Sequence, residues 1–157
     1  MNEVIIKQVT SMTKQEIETA NKAEDFLLSL DQSKLKTWHT LHAGVYTRTV
    51  IMQPGESMVG ALIKIPTILS IYGSLKLYIG GKVDYVDGHT TFVAEAYRKQ
   101  ILTAIKTSYV TMSFATNALT IEEAEAEFTD DHDKLMSRHK DSINIITIKE
   151  DIQCQEQ

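Results

Sequence analysis

The sequence contains a single cysteine, Cys154. No disulfide can form within one chain, so the fold does not depend on an oxidising compartment. No histidine or basic helix start adjoins Cys154, which therefore reads as an inert tail residue rather than a reactive thiol. Base is also scarce. Sixteen Lys and Arg against 21 Asp and Glu leave a net charge of −5, which argues against a surface that binds nucleic acid by releasing counterions. Apolar runs are short. The longest, at 61–65 and 68–72, are interrupted by Lys64, Pro66 and Ser70 and fall well below the about 18 residues of a membrane span. The opening MNEVIIKQVT has no basic segment leading into an apolar one and does not read as a signal peptide. The expectation is a cytoplasmic protein with neither membrane nor nucleic acid as a partner.

What is present is one core's worth of apolar residues, 43% of 157, which predicts a single domain over 1–157. Residues 13–30 have helical spacing: Ile17, Ala20, Ala23 or Glu24, Leu27 and Leu30 fall on one stripe, widened by Phe26 and Leu28. Thr13 suits the N-cap, and Glu16 completes a capping box. Between 35 and 116 the pattern becomes short β-branched and aromatic runs. These predict strands near 36–42, 45–52, 57–64, 67–72, 75–79, 82–86, 90–94, 99–105 and 108–115. Pro54-Gly55 suits a tight turn, Gly73-Ser74 reads as a break, and Gly80-Gly81 and Asp87-Gly88 read as hairpins. Dense turns without long helices between strands predict an antiparallel sandwich or barrel. Leu75, Leu77 and Ile79 alternate with Lys76 and Tyr78, and Val110, Met112 and Phe114 alternate with Tyr109, Thr111 and Ser113. One face of each strand should therefore pack and the other be polar, facing solvent or a pocket.

After 117 the helical pattern returns. Thr120-Ile121-Glu122-Glu123 is a capping box, and Ile121, Ala124 and Phe128 share a stripe. The helical segment is expected to run over 120–139, with Leu135 and Met136 inward. A last strand follows at 143–148 and a mobile polar tail at 150–157. The acids Glu122, Glu123, Glu125, Glu127, Asp130, Asp131 and Asp133 have no Lys or Arg among them and read as a solvated face and turn.

No residue pattern names a reaction. His39 and His42 fall on opposite faces of a strand, His89 lies in a turn, and His132 and His139 sit among charges, so no metal ligand set is expected. There is no G-x-S-x-G and no P-loop. Candidate ligand-binding groups are the bases and phenols set in otherwise apolar strands: Arg48, Lys64, Tyr78 and Arg98. Arg98 and Lys99 are adjacent, so on a strand only one could face a pocket; the pair reads as a solvated edge that resists aggregation. A buried Arg48 would need a carboxylate or phosphate partner that the sequence does not name.

A family resemblance adds to this. Tyr46-Thr47-Arg48-Thr49-Val50, Pro54-Gly55, Gly60, Pro66-Thr67-Ile68-Leu69 and Gly73 resemble the first half of a cupin core. Gly80-Gly81, Tyr97-Arg98-Lys99-Gln100 and Met112-Ser113-Phe114-Ala115-Thr116 resemble its second half. The stretch from Thr120 through Phe128-Thr129-Asp130 to Leu135-Met136-Ser137-Arg138 is similar to the tail of small cupin-like proteins encoded by bacteriophages and prophages. The resemblance spans 44–138. It implies a jelly-roll barrel over 35–116, a homodimer and, for a phage protein, the bacterial host cytoplasm. It also exposes a departure. Metal-binding cupins carry paired histidines after the Pro-Gly turn and another in the second half. Here Gly60-Ala61-Leu62-Ile63-Lys64 occupies the first place, and no histidine lies between Thr90 and Thr116. The resemblance thus implies a metal-free protein without a cofactor, binding a small polar or anionic ligand or serving as an accessory. The alternatives are a metal-independent isomerase or epimerase of a sugar nucleotide and a structural dimerisation unit.

Overall fold

The computed structural model describes residues 2–5, 7–79 and 81–148. Its strands are β1 (Gln8–Val9), β2 (Lys36–His42), β3 (Val45–Met52), β4 (Ser57–Val59), β5 (Thr67–Ile79), β6 (Lys82–Ala94), β7 (Ile101–Ala104), β8 (Ser108–Ala115) and β9 (Ile143–Ile148). Two helices, α1 (Lys14–Leu28) and α2 (Ile121–Phe128), flank them, and two 3-10 turns follow α2 at His132–Lys134 and Met136–Arg138. The expected mobile tail at 150–157 lies outside the described residues. No helix among the described residues is long and apolar enough to cross a membrane.

The strands form one sheet in the order β1-β6-β5-β8-β3-β2-β9, with β7 joining β5 to β4. The protein is mainly β, but its sheet is mixed rather than wholly antiparallel. β1 runs parallel to β6, and β9 runs parallel to β2. These two were not separable by sequence pattern, because alternation fixes faces and not direction.

The curl of the sheet has an identifiable origin. Gly73-Ser74 and Asp87-Gly88 were expected to end strands; instead β5 and β6 run through them as one long hairpin in which Gly73 pairs with Gly88 and Ser74 with Asp87. The first half of β5 pairs with β8 and the second half with β7, so the sheet divides at this point. Ser108 fastens the corner, its hydroxyl accepting from Ser74 N at 3.0 Å. Gly73, at φ +137, allows the approach: a Cβ there would lie 2.7 Å from Ser108 Cα. Pro54-Gly55 forms the expected turn, Glu56 N donating to Gln53 O at 3.1 Å, with Gly55 at φ +85.

Two apolar clusters fill the curl. One joins Leu69, Ile71, Leu75, Leu77, Phe92 and Leu102. The other joins Tyr46, Phe114, Ile121, Phe128 and Leu135. Tyr46, Phe114 and Phe128 form an aromatic triangle with centroids 5.5 to 6.3 Å apart.

Thr13 caps α1 as expected, accepting from Glu16 N at 3.2 Å. The broad apolar stripe on α1 is not realised. Ala20 is its buried residue, while Phe26, Leu28 and Leu30 are at least half exposed. The stripe is narrower than expected: Ile17, Ala23 and Leu27 are half-buried beside Ala20, and the widening residues Phe26 and Leu28 face outward.

Candidate functional site

The space between the two clusters is an open cavity of about 1010 Å³, at the upper end of the range for small-molecule sites. β3, β5 and β8 supply an apolar wall that includes Val50, Leu69, Val110 and Met112. α1 and the chain leaving it cover one side, and the 3-10 turns cover another. The rim carries Asp25, Asp31, Asp131 and Asp133, with Lys134 and His139.

Three bases stand on the wall. Arg48 is buried on β3, where Nη1 donates to Glu125 Oε2 at 3.1 Å and Nη2 to Ser137 Oγ at 3.0 Å. Its guanidinium also lies 5.8 Å from the centre of the Phe128 ring. Glu125 is only 3% exposed and accepts from Ser137 and from Arg138 as well. The acid-rich segment was expected to be solvated throughout, and this one residue departs from that. It sits at i+4 from Ile121 and within the stripe Ile121, Ala124, Phe128, a spacing that marks it in the sequence as inward.

Lys99 is buried; its Nζ lies 2.8 Å from Glu24 Oε2 and 2.7 Å from Asn21 Oδ1, both on α1. Arg98 is 1% exposed. Its Nη1 donates to Glu95 O at 2.6 Å and to Ile65 O at 3.3 Å, and its Nη2 donates to Thr67 Oγ1 at 2.5 Å. All three acceptors are neutral, and Arg98 Nε has no partner among the described residues. Burial alone pushes its pKa down to about 10. Beside it, Gln100 is buried on the same wall and its Nε2 is also unpartnered.

The solvated-edge reading of Arg98 and Lys99 is therefore corrected: both are buried. Strand alternation does not apply, because 95–100 form no strand: Arg98 makes an isolated bridge to Ile63, after Tyr97 at a positive φ of 59. Tyr97 N donates to Ile63 O at 2.7 Å, and Ile63 N to Arg98 O at 2.9 Å, which pins the kink. Of the four ligand-binding candidates, Arg48 and Arg98 line the cavity. Lys64 and Tyr78 are not among its lining residues. Lys64 is half-buried and pairs with exposed Asp130 at 2.7 Å, and Tyr78 is half-buried on β5. Gln100 entered the sequence reading only within the Tyr97-Arg98-Lys99-Gln100 string, with no role assigned to it.

His39 and Tyr46 form a separate buried cluster. Asn144 donates its amide to Ser137 O and Ser142 Oγ, so its Oδ1 accepts from His39 Nε2 at 2.8 Å. Nδ1 then carries no proton and accepts from the Tyr46 hydroxyl at 2.7 Å. Burial holds His39 below its ordinary pKa of 6.5 and pushes Tyr46 up to about 12. Neither ring lines the large cavity; His39 borders a smaller recess of about 390 Å³ beside Glu125 and Asn144. Among the described residues no three His, Cys, Asp or Glu side chains converge as a metal would require.

No family model and no curated protein matches this chain. Its structural neighbours are cupins. A cupin-2 domain protein from Shewanella frigidimarina is 8% identical, covering 63% of this chain and 98% of that one at a TM-score of 0.43. An RmlC-like cupin protein from Desulfovibrio desulfuricans is 15% identical, over 54% and 85% of the two chains, again at 0.43. An oxalate oxidase is 20% identical, covering 46% of this chain at 0.40; this chain spans 42% of the length of that enzyme. With TM-scores below 0.5 these likenesses are partial, and the fold is defined by the chain's own strand pairing.

Proposed function

We propose that this chain binds a small molecule in the cavity of its curled sheet, and that the molecule carries one anionic group on an apolar body. The observation that carries this reading is Arg98. A buried cation is costly unless a negative charge meets it. Arg48 has Glu125 and Lys99 has Glu24, whereas Arg98 is left with neutral acceptors and a free Nε. The wall therefore holds one uncompensated positive charge, with the buried, unpartnered Gln100 Nε2 beside it. Charge balance favours a single carboxylate-type group, and the aspartates on the rim disfavour nucleotides and other polyanions. Val50, Leu69, Val110 and Met112 suit an apolar remainder.

In this reading the role is binding rather than metal chemistry, as an accessory protein of the kind that the resemblance to phage- and prophage-encoded chains implies. An isomerase or epimerase using a tyrosine with a histidine or lysine is less well supported, because no tyrosine is among the residues that line the cavity and Tyr46 is bonded to His39 away from it. A purely structural barrel would fill its interior with side chains, which an open volume of about 1010 Å³ does not suit.

The experiment is a thermal-shift screen of short and medium-length carboxylates against sugar phosphates and nucleotides. A rise in the melting temperature with carboxylates bearing an apolar body, and none with nucleotides, supports the reading. No shift with any carboxylate, or a preference for nucleotides, contradicts it.

A further inference from the structure

The cavity is positive where it is buried and negative at its mouth. Within it stand Arg98, 1% exposed with a free Nε, and Gln100, 9% exposed with Nε2 unpartnered. At the mouth, two of the four aspartates are already engaged. Lys134 lies 3.9 Å from Asp131, and Arg138 donates to Asp133 at 3.2 Å. On the side covered by α1, Asp25 and Asp31 are exposed and meet no base among the described residues. Asp25 belongs to the last turn of α1, and that turn holds no base. The C-terminal end of a helix is its negative pole, where a cation is favoured and an acid is not. The chain thus adds negative charge to negative potential at this point of the rim. Among the described residues no three acids or histidines converge as a metal ion would need. Around the whole lining, six acids stand against four bases. A simple monoanion deepens that imbalance, and a ligand bearing its own positive charge relieves it.

We propose that the ligand is dipolar, an ω-amino carboxylic acid whose carboxylate meets Arg98 and whose ammonium group rests at the mouth beside Asp25 and Asp31. This rests on the carboxylate reading above and adds what stands at the other end of the molecule. Acids on a surface do not make a site by themselves. These share one cavity with a buried arginine and a buried amide that both lack partners, and with the apolar side chains of Val50, Leu69, Val110 and Met112. Asp25 and Asp31 act through solvent, so they supply selectivity more than affinity. Two exposed ion pairs amount to a preference of roughly three- to tenfold, which salt screens. The same acids repel a second carboxylate, so a diacid is disfavoured.

The test is calorimetric titration of ω-aminooctanoate, octanoate and octanedioate into the full chain at low salt. Affinity should fall in that order, with the amino acid about threefold or more tighter than octanoate. Raising the salt to about 0.5 M should compress the series. The double variant Asp25→Asn, Asp31→Asn, altered at exposed positions, should compress it in the same way. The salt series needs no variant and stands if the double variant folds poorly. Octanoate binding as tightly as its amino analogue overturns the proposal and leaves carboxylate binding in place. So does a preference that neither salt nor the double variant reduces. Absence of binding by all three compounds overturns the carboxylate reading and this proposal with it.

Discussion

Tyr46 donates its phenolic proton to His39 across 2.7 Å, joining two strands through a histidine held in one tautomer. Protonating His39 would put a proton on the nitrogen that now accepts from Tyr46. Burial, the largest cause, already holds the folded pKa below 6.5. The unfolded chain keeps the ordinary value, so it binds the extra proton first as pH falls. This contribution to stability is complete above about pH 6.5 and is lost as pH drops through the folded value. Urea denaturation near pH 8 and pH 5 should show a lower midpoint at the acid end, and the difference should shrink in His39→Gln. An equal acid loss in that variant would contradict the assignment.

Glu125 should behave unlike its acidic neighbours. It pairs with Arg48 and with Arg138, which also meets Asp133, and accepts from Ser137. Glu125→Ala leaves buried Arg48 without its counter-charge and should cost about 3–5 kcal/mol. Glu122→Gln and Glu123→Gln, on the exposed face, should stay within about 0.5 kcal/mol. Denaturation midpoints of the three variants check this, and a Glu125→Ala loss as small as the others would contradict it.

Gly73→Ala should be among the most damaging small changes in the chain. The new methyl meets the Ser108 backbone at 2.7 Å, and the residue must keep a φ of +137. A loss of roughly 3 kcal/mol or more is expected in equilibrium unfolding. Gly55→Ala, at a left-handed turn with nothing within 4 Å, should cost less, about 1 kcal/mol. The reverse order would show that the corner can open to admit a side chain.

Much of the sheet was legible because alternation is a local property. Val110, Met112 and Phe114 are buried as their spacing predicts, and Thr13 and Thr120 cap their helices. What alternation could not show was the corner. A glycine in a strand reads as a stop, and only the opposed Gly73 and Gly88 reveal a bend that both strands share. The site was legible by half for a similar reason. Arg48 lies in a regular strand, and its inward direction follows from Tyr46 and Met52. Arg98, Lys99 and Gln100 lie outside any regular strand, just before β7, so period-two geometry misplaced them. Glu24 and Asn21 are far from Lys99 in sequence, and pairing of that kind is set by the tertiary fold.

Arg98 and Gln100 together separate a binding site from a structural one. Gln100 Nε2 is buried without a partner, so Gln100→Leu removes an unmet donor and should leave the ligand-free protein as stable or raise it by about 1 kcal/mol. If Gln100 serves the ligand, the same change lowers affinity. A loss of stability with unchanged affinity would make Gln100 structural.

The most direct measurement is calorimetric titration of one apolar carboxylate into the wild type and into Arg98→Met, with circular dichroism confirming that both are folded. The wild type should bind about one molecule per chain, and Arg98→Met should bind at least roughly tenfold more weakly, the loss of one charge-assisted contact. Equal affinity in the two proteins, or no binding of any carboxylate by the wild type, would contradict the account.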